Sequence, residues 1–306
     1  MSGDYPDEVY DHTVAVIGPG AVGLALAALY REAGHDVVLC GPPTSRPPGD
    51  EIVVDEGGEE HAFSVGWADG PADVGVARCV VVATKIPQTA SVWPWLDALA
   101  GPDTLVVVAQ NGVEHHDRLP PGVWQTVVPA LVYVNAERLA PGRVRVRRNS
   151  YDLVLPAEPA GIVAADLFLG SSTRIKLDGD FRTALWRKLL TNIGANPVTA
   201  LTGRRVEVLH DPLLSATVLA ALEETAAVGR AEGADLPADA AAETLRWLQD
   251  LPAGSTSSML QDRDAGRPLE ADGLTGAVVR LADRHDIPVP TIRTLHALTS
   301  AVHPAP

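Results

Sequence analysis

Cysteine is nearly absent: Cys40 and Cys79 are the only two in 306 residues. Each follows an apolar strand-like run, and two thiols in a chain of this size make no disulfide framework. They read as small buried hydrophobes in a reduced, cytoplasmic setting. Long apolar runs are also missing. No stretch of about 18 uninterrupted apolar residues occurs, so no membrane span is expected. Positive charge is scarce, with 24 Lys and Arg against 39 Asp and Glu and a formal charge of −15. That balance argues against broad nucleic-acid binding, and an anionic ligand would need a local cation or backbone amides. The one basic run, Arg143, Arg145, Arg147 and Arg148, alternates with valine as a half-exposed strand does. The histidines are scattered, apart from His115-His116, which are adjacent and poorly placed to face one ion; no metal is expected. The acidic start, Met1 to Glu8, has no apolar core and does not resemble a secretory signal. Residues 1–10 read as a flexible tail. No internal repeat or low-complexity segment is evident.

Apolar residues make up 46% of the chain, ample for burial, and the length favours two domains. Thr13-Val-Ala-Val-Ile17 has the texture of a buried parallel strand. Gly18-Pro19-Gly20-Ala21-Val22-Gly23 follows, then an Ala/Leu-rich helix ending near Gly34, then a second strand over Asp36 to Cys40. Strand, glycine turn, helix and strand within about 30 residues form the dinucleotide-binding unit. Gly18 permits the tight turn, Gly20 lets backbone approach a pyrophosphate, and Gly23 lets helix pack on strand. The helix N-terminus adds free N–H groups and partial positive charge. A rigid loop over 41–50 and a hairpin over 52–65 come next. Two further apolar strands end in Thr84-Lys85 and in Gln110-Asn111-Gly112, with a helix from about Gln88 to Leu99 between them. Ligands in such sheets bind beyond the carboxyl ends of the strands, where Lys85 and Asn111 lie. Residues 125–155 alternate as strands and are expected to extend the sheet.

From Phe181 the texture changes to long amphipathic helices. The expected organisation is α/β: a Rossmann-type doubly wound sheet over 11–179, then an all-helical domain over 180–306. Within the first long helix, Lys188, Asn192 and Asn196 are four residues apart in a largely apolar stretch. They would form a polar ladder rising about 6 Å per step on one face. Polar groups on a core-facing stripe cost free energy unless partnered, either by protein groups in a helix–helix network or by a ligand. Pro197 is expected to end or kink this helix at Asn196. Helices are further expected over about 212–232, 237–251 and 273–285 and after Pro290. Ser257-Ser258-Met259-Leu260-Gln261-Asp262 could cap another, and Glu270 follows it.

These parts, in this order and over nearly the whole length, resemble the ketopantoate reductase (2-dehydropantoate 2-reductase) family. The Lys188/Asn192/Asn196-Pro197 helix and the Ser-Ser-Met-Leu-Gln-Asp segment are its more specific marks. The resemblance implies hydride transfer from NADPH to the ketone of 2-dehydropantoate, a reaction of pantothenate biosynthesis, in a cleft between the two domains. It implies Lys188 as proton donor, with Asn192, Asn196 and Ser258 holding the substrate. Lys85, Asn111 and Glu270 would contact cofactor or bridge it to substrate, Glu270 also serving catalysis. The turn Gly18, Pro19, Gly20, Ala21, Val22 and Gly23 would hold the cofactor phosphates. Chemically, an ammonium suits a ketone oxygen gathering charge. Burial would lower its pKa, whereas a nearby Glu270 carboxylate would raise it.

Two positions depart from the family pattern. Where an arginine commonly follows the second strand and meets the 2′-phosphate, this chain has Cys40-Gly41-Pro42. Arg46 could substitute, aided by Thr44 and Ser45. No Asp or Glu closes that strand as the ribose-diol acceptor for NAD, so NADPH is the expected cofactor and NADH the alternative. Val206 stands where an asparagine often helps bind substrate. Two alternatives therefore stand beside 2-dehydropantoate reduction: reduction of another 2-oxo or 3-oxo acid or an imine, and a non-catalytic NADP sensor. The expected partner is a small 2-oxo acid, with a homodimer through the helical domain as one assembly.

Overall fold

Thr13–Ile17 forms strand β1, and its alternate side chains enter two different cores, Val14 and Val16 on one face and Ala15 and Ile17 on the other. The structure, a computed structural model, describes residues 13–120 and 127–302, so the expected tail at 1–10 lies outside the described residues. After β1 come α1 (Ala21–Glu32), β2 (Asp36–Cys40), the hairpin β3 (Glu51–Glu56) and β4 (Glu59–Ser64), and β5 (Gly66–Ala68). Then follow β6 (Cys79–Val82), α2 (Trp93–Leu99), β7 (Leu105–Val108) and β8 (Val127–Pro129). The strands of the main sheet lie in the order β5-β2-β1-β6-β7-β8, and every pairing in it is parallel. The order reverses between β1 and β6, the crevice where open α/β sheets bind ligands. Leu96 and Leu99 of α2 cover one face, and α1 covers the other. This is the doubly wound sheet expected from the sequence.

The remaining strands are β9 (Leu131–Val132), β10 (Asn135–Ala140), β11 (Arg143–Arg147), β12 (Leu153–Pro156) and β13 (Ile175–Asp178), with α3 (Pro159–Asp166) after β12. The expectation that 125–155 extends the main sheet holds only for β8. β10 and β11 instead join the hairpin in a sheet ordered β10-β11-β3-β4, and β12 pairs with β13 on one side and β9 on the other in a third. The reason lies in the alternation: a strand covered on both faces has no place for Arg143, Arg145 and Arg147. Their face is half-exposed, and Arg145 meets Asp55 of β3 at 2.8 Å while Val144 and Val146 turn inward. The second sheet packs Ile52, Val54, Val144 and Val146 against α1. Helix α1 is thus covered on two sides, and every residue from Gly23 to Tyr30 is buried. The helix expected over 88–99 is a 3₁₀ segment, Ile86–Val92, followed by the shorter α2. Pro87 and Pro94 interrupt a continuous α ladder there.

Two compact units result: Met1–Gln110 with His115–Gly179, and Asn111–Glu114 with Asp180–Pro306. The second is helical: α4 (Phe181–Thr202), α5 (Pro212–Ala231), α6 (Ala240–Gln249), α7 (Ser258–Asp264), a π turn at Asp272–Gly276, α8 (Ala277–Arg284) and α9 (Pro290–Ser300). Trp186, Leu189, Leu190 and Ile193 of α4 are at the centre of its core, against Leu222 of α5, Leu248 of α6 and Ile292 of α9. A Cβ on Gly194 would stand 2.5 Å from Leu248 Cδ1, so glycine permits the close α4–α6 approach. The helix does not end at Asn196-Pro197. It continues to Thr202, where Gly203 at φ +67° stops it. Proline removes one ladder hydrogen bond, but the residues from Ile193 to Ala200 are all buried, and that burial outweighs the local preference. Among the described residues, no helix is long and apolar enough to cross a membrane.

Candidate active site

In the first unit, the glycine turn closes the carboxyl end of β1. Gly18 has φ +99°, and its N–H donates to the carbonyl of Cys40 at 3.0 Å. A Cβ there would stand 2.7 Å from Thr84 Cγ2, which places the turn directly against the end of β6. A Cβ on Gly23 would stand 2.0 Å from the Gly18 carbonyl oxygen, so only glycine can occupy the first turn of α1 there. Gly20 is different: nothing lies within 4 Å of its would-be Cβ. No side chain caps α1 at this end. An open, backbone-lined turn at a helix N-terminus is suited to a pyrophosphate. Ala21 and Val22 are partly buried beside it. Lys85 is also partly buried and opens the 3₁₀ segment after β6. Gln110 fixes that loop, donating to Thr84 O, Thr84 Oγ1 and Thr89 Oγ1 at 3.0, 3.1 and 3.1 Å.

Pro42, where the arginine was expected, is exposed and carries no donor, and the residue before it is sterically confined. A Cβ on Gly41 would stand 2.6 Å from Pro19 Cδ, so the proline in the turn requires glycine beside it. Arg46 is exposed at the end of a short 3₁₀ turn and lies 3.6 Å from Asp69. Asp69 follows β5, the strand next to β2, and also accepts from Trp67 Nε1 at 2.7 Å. An acid thus stands one strand over from the end of β2. The Arg46–Asp69 pair is half-exposed and weak enough to be rearranged by a ligand. Cys40 and Cys79 are buried, and burial pushes both thiols up to about 12, which keeps them protonated and inert.

In the second unit, Lys188, Asn192 and Asn196 share one helix at four-residue spacing. Lys188 and Asn192 are partly buried, and Asn196 is 3% exposed. Burial lowers the Lys188 ammonium to about 8. The amide nitrogens Nδ2 of Asn192 and Asn196 are buried without a hydrogen-bond partner among the described residues. Leaving two such donors unmade costs about 1–3 kcal/mol each, so the site is built to be completed by water or a ligand. Ser257, rather than Ser258, makes the structural bonds: it caps α7 by accepting from Leu260 N at 3.0 Å and meets Thr199 Oγ1 at 2.6 Å. Arg263 of α7 also donates to Ala200 O at 2.6 Å. These bonds fasten α7 to α4 and leave Ser258 exposed on its first turn. Asn111 follows β7 in sequence yet belongs to the second unit, where its Nδ2 donates to Glu270 Oε2 at 3.0 Å. Glu270 is 4% exposed. Val206 is 4% exposed within the helical core, its N–H donating to Ser255 O at 3.0 Å.

The family model described as "Ketopantoate reductase PanE/ApbA" matches residues 14–158, and "Ketopantoate reductase PanE/ApbA C terminal" matches residues 180–303. The chain belongs to the ketopantoate reductase family. It is 38% identical over 300 residues to a 2-dehydropantoate 2-reductase of Mycobacterium tuberculosis, covering 96% of this chain and 98% of that one. A 2-dehydropantoate 2-reductase of Caulobacter vibrioides is 37% identical over 294 residues, covering 94% and 98%. Among solved structures, a dimeric ketopantoate reductase from Staphylococcus aureus superposes with a TM-score of 0.83 at 28% identity, covering 95% of this chain and 98% of that chain. As a member of this family the chain is an oxidoreductase.

Several residues that organise these sites carry no mark in the sequence. Asp69 follows a three-residue strand too short to show a pattern, and Thr199 is one of several polar residues on its helix. Gln110 was visible only as part of a strand-end triplet. Glu114 is buried at 9% and bonded through both oxygens to Arg280, 166 residues away.

Proposed function

We propose that this chain reduces 2-dehydropantoate to pantoate with NADPH. The observation that carries the reading is the α4 ladder: a lysine with its pKa lowered to about 8, followed at one-turn intervals by two buried amide donors that have no partner among the described residues. A small acid with a carboxylate, a hydroxyl and a ketone supplies acceptors for all three. The glycine turn is suited to the dinucleotide's pyrophosphate, its open position at Gly20 being where a phosphate would approach. The nicotinamide, when bound, supplies the hydride. The Lys188 ammonium stabilises the charge gathering on the ketone oxygen and delivers its proton there. Asn192 and Asn196 donate to the substrate's carboxylate and hydroxyl oxygens, with Ser258 as a further donor. Glu270, bonded to Asn111, orients the reactants, and Lys85 serves the cofactor.

A different 2-oxo acid is the second reading, favoured by Val206, which lies in the core and offers substrate no amide. NADH is the alternative cofactor, favoured by Asp69 at the end of β5 as a ribose-diol acceptor. For assembly, the dimeric relative and an apolar groove of about 460 Å³ on the helical unit, with Leu298 at its rim 51% exposed, support a homodimer through that unit.

NADPH oxidation measured with 2-dehydropantoate against a panel of 2-oxo acids decides the substrate. Rapid turnover of another acid with none of 2-dehydropantoate would sink the first reading. Reduction requires protonated Lys188, so kcat/KM should fall about tenfold per pH unit above a pKa near 8. Lys188→Ala should abolish that limb and cost roughly 10²–10⁴ in kcat with NADPH affinity little changed; a pH profile identical to wild type would remove the role. Arg46→Ala should weaken NADPH more than NADH in a binding titration, and equal losses would refute a 2′-phosphate contact. Leu298→Asp should shift the sedimenting species from dimer to monomer; an unaltered dimer would place the interface elsewhere.

A further inference from the structure

Residues 111–114 are a four-residue excursion of the second unit inserted in the sequence of the first. Its base is pinched within the first unit, where the His115 ring Nε2 lies 3.0 Å from Gln110 O. Gly112, at φ +89°, turns the chain in its middle. Val113 packs on the helical core. At its ends, Asn111 bonds Glu270 and Glu114 bonds Arg280.

The Arg280 contacts are unusually complete. Its Nε and Nη2 grip the two oxygens of Glu114 at 3.0 and 2.6 Å. Its Nη1 and Nη2 also donate to Asp272 Oδ1 and Asp272 O at 2.8 and 3.0 Å. Glu114 is three residues beyond Asn111, and Asp272 is two beyond Glu270. One guanidinium therefore holds both segments that carry the Asn111–Glu270 pair. An isolated ion pair as exposed as Arg280 would contribute little. Here the carboxylate is buried, the grip is a planar fork, and the second partner includes a backbone carbonyl, so the fork sets a distance and not only a charge balance. Withdrawing it removes two charge-assisted bonds from a buried carboxylate and loosens the hold on the excursion that carries it.

We propose that Arg280 is a positioning residue: by clamping Glu114 and Asp272 it holds Asn111 and Glu270 in the register that the reaction needs. The inference rests on the reading above, in which that pair faces the reactants. The full-length enzyme tests it in a double-mutant cycle of Arg280→Ala and Asn111→Ala, with kcat and KM for 2-dehydropantoate and NADPH and hydrogen–deuterium exchange over residues 111–116. Each single variant should lower kcat/KM by roughly 10- to 100-fold, the range expected for losing a charge-assisted bond. The double variant should be no worse than Asn111→Ala alone. Exchange at 112–114 should rise in Arg280→Ala while α5 keeps its protection. Losses that multiply, or exchange that does not change, would overturn the proposal. If Asn111→Ala is crippling and Arg280→Ala harmless, the positioning role alone falls. If Asn111→Ala is itself harmless, the reading of the site is wrong and the positioning role goes with it. Should Arg280→Ala not fold, Arg280→Lys keeps the charge, loses the fork and is held to the same criteria.

Discussion

Helix α4 has to be two things at once, and the second unit is arranged around that constraint. Its apolar residues are the middle of the helical core, so the helix cannot turn about its axis without exposing Trp186, Leu189, Leu190 and Ile193. The same rigidity fixes the direction of Lys188, Asn192 and Asn196, because side chains four apart on a locked helix have no freedom to diverge. The cost is visible in two buried amide donors without partners among the described residues and in a lysine whose ammonium is disfavoured by burial. A binding site that keeps polar groups desolvated and aligned before the ligand arrives trades folding stability for preorganisation. The Thr199–Ser257 and Arg263–Ala200 bonds extend the same order to α7, which puts Ser258 on a fixed turn.

The first unit solves a different problem, holding an anion in a chain that is strongly acidic. Backbone does the work that side-chain charge does not. The Gly18–Gly23 turn is shaped by contacts that exclude any Cβ at both of its ends, while Gly20 between them stays open. Pro19 then dictates Gly41, and Pro42 after it offers no cation. The guanidinium of Arg46 lies further out, beside the Asp69 carboxylate.

Elements with a strong single period were legible from the chain alone. The apolar runs of β1, β2, β6 and β7 and the glycine turn pointed to a doubly wound sheet, and the helices of the second half stood out by texture. The residues 125–155 were read as strands correctly, but their partners were not, because alternation reports that one face is covered without reporting by what. Pro197 was read as a helix end on local grounds, and burial of the surrounding turn prevailed. Of the candidate site, the residues with unusual neighbours in sequence were visible: Lys188, Asn192 and Asn196 by their spacing, the glycines by their place between strand and helix. Those whose meaning lies in a distant partner were not, among them Asp69, Gln110 and the Glu114–Arg280 fork.

By itself, then, the sequence determined the fold class, the family and the residue types available for chemistry, since these follow from periodicity, steric minimum and spacing along one element. Tertiary structure alone decided that Asn111 joins Glu270, that Val206 is core, that burial lowers the Lys188 ammonium to about 8 and that the Arg280 guanidinium reaches Glu114, 166 residues away. These depend on desolvation and on contacts between distant parts of the chain, quantities that local pattern does not encode.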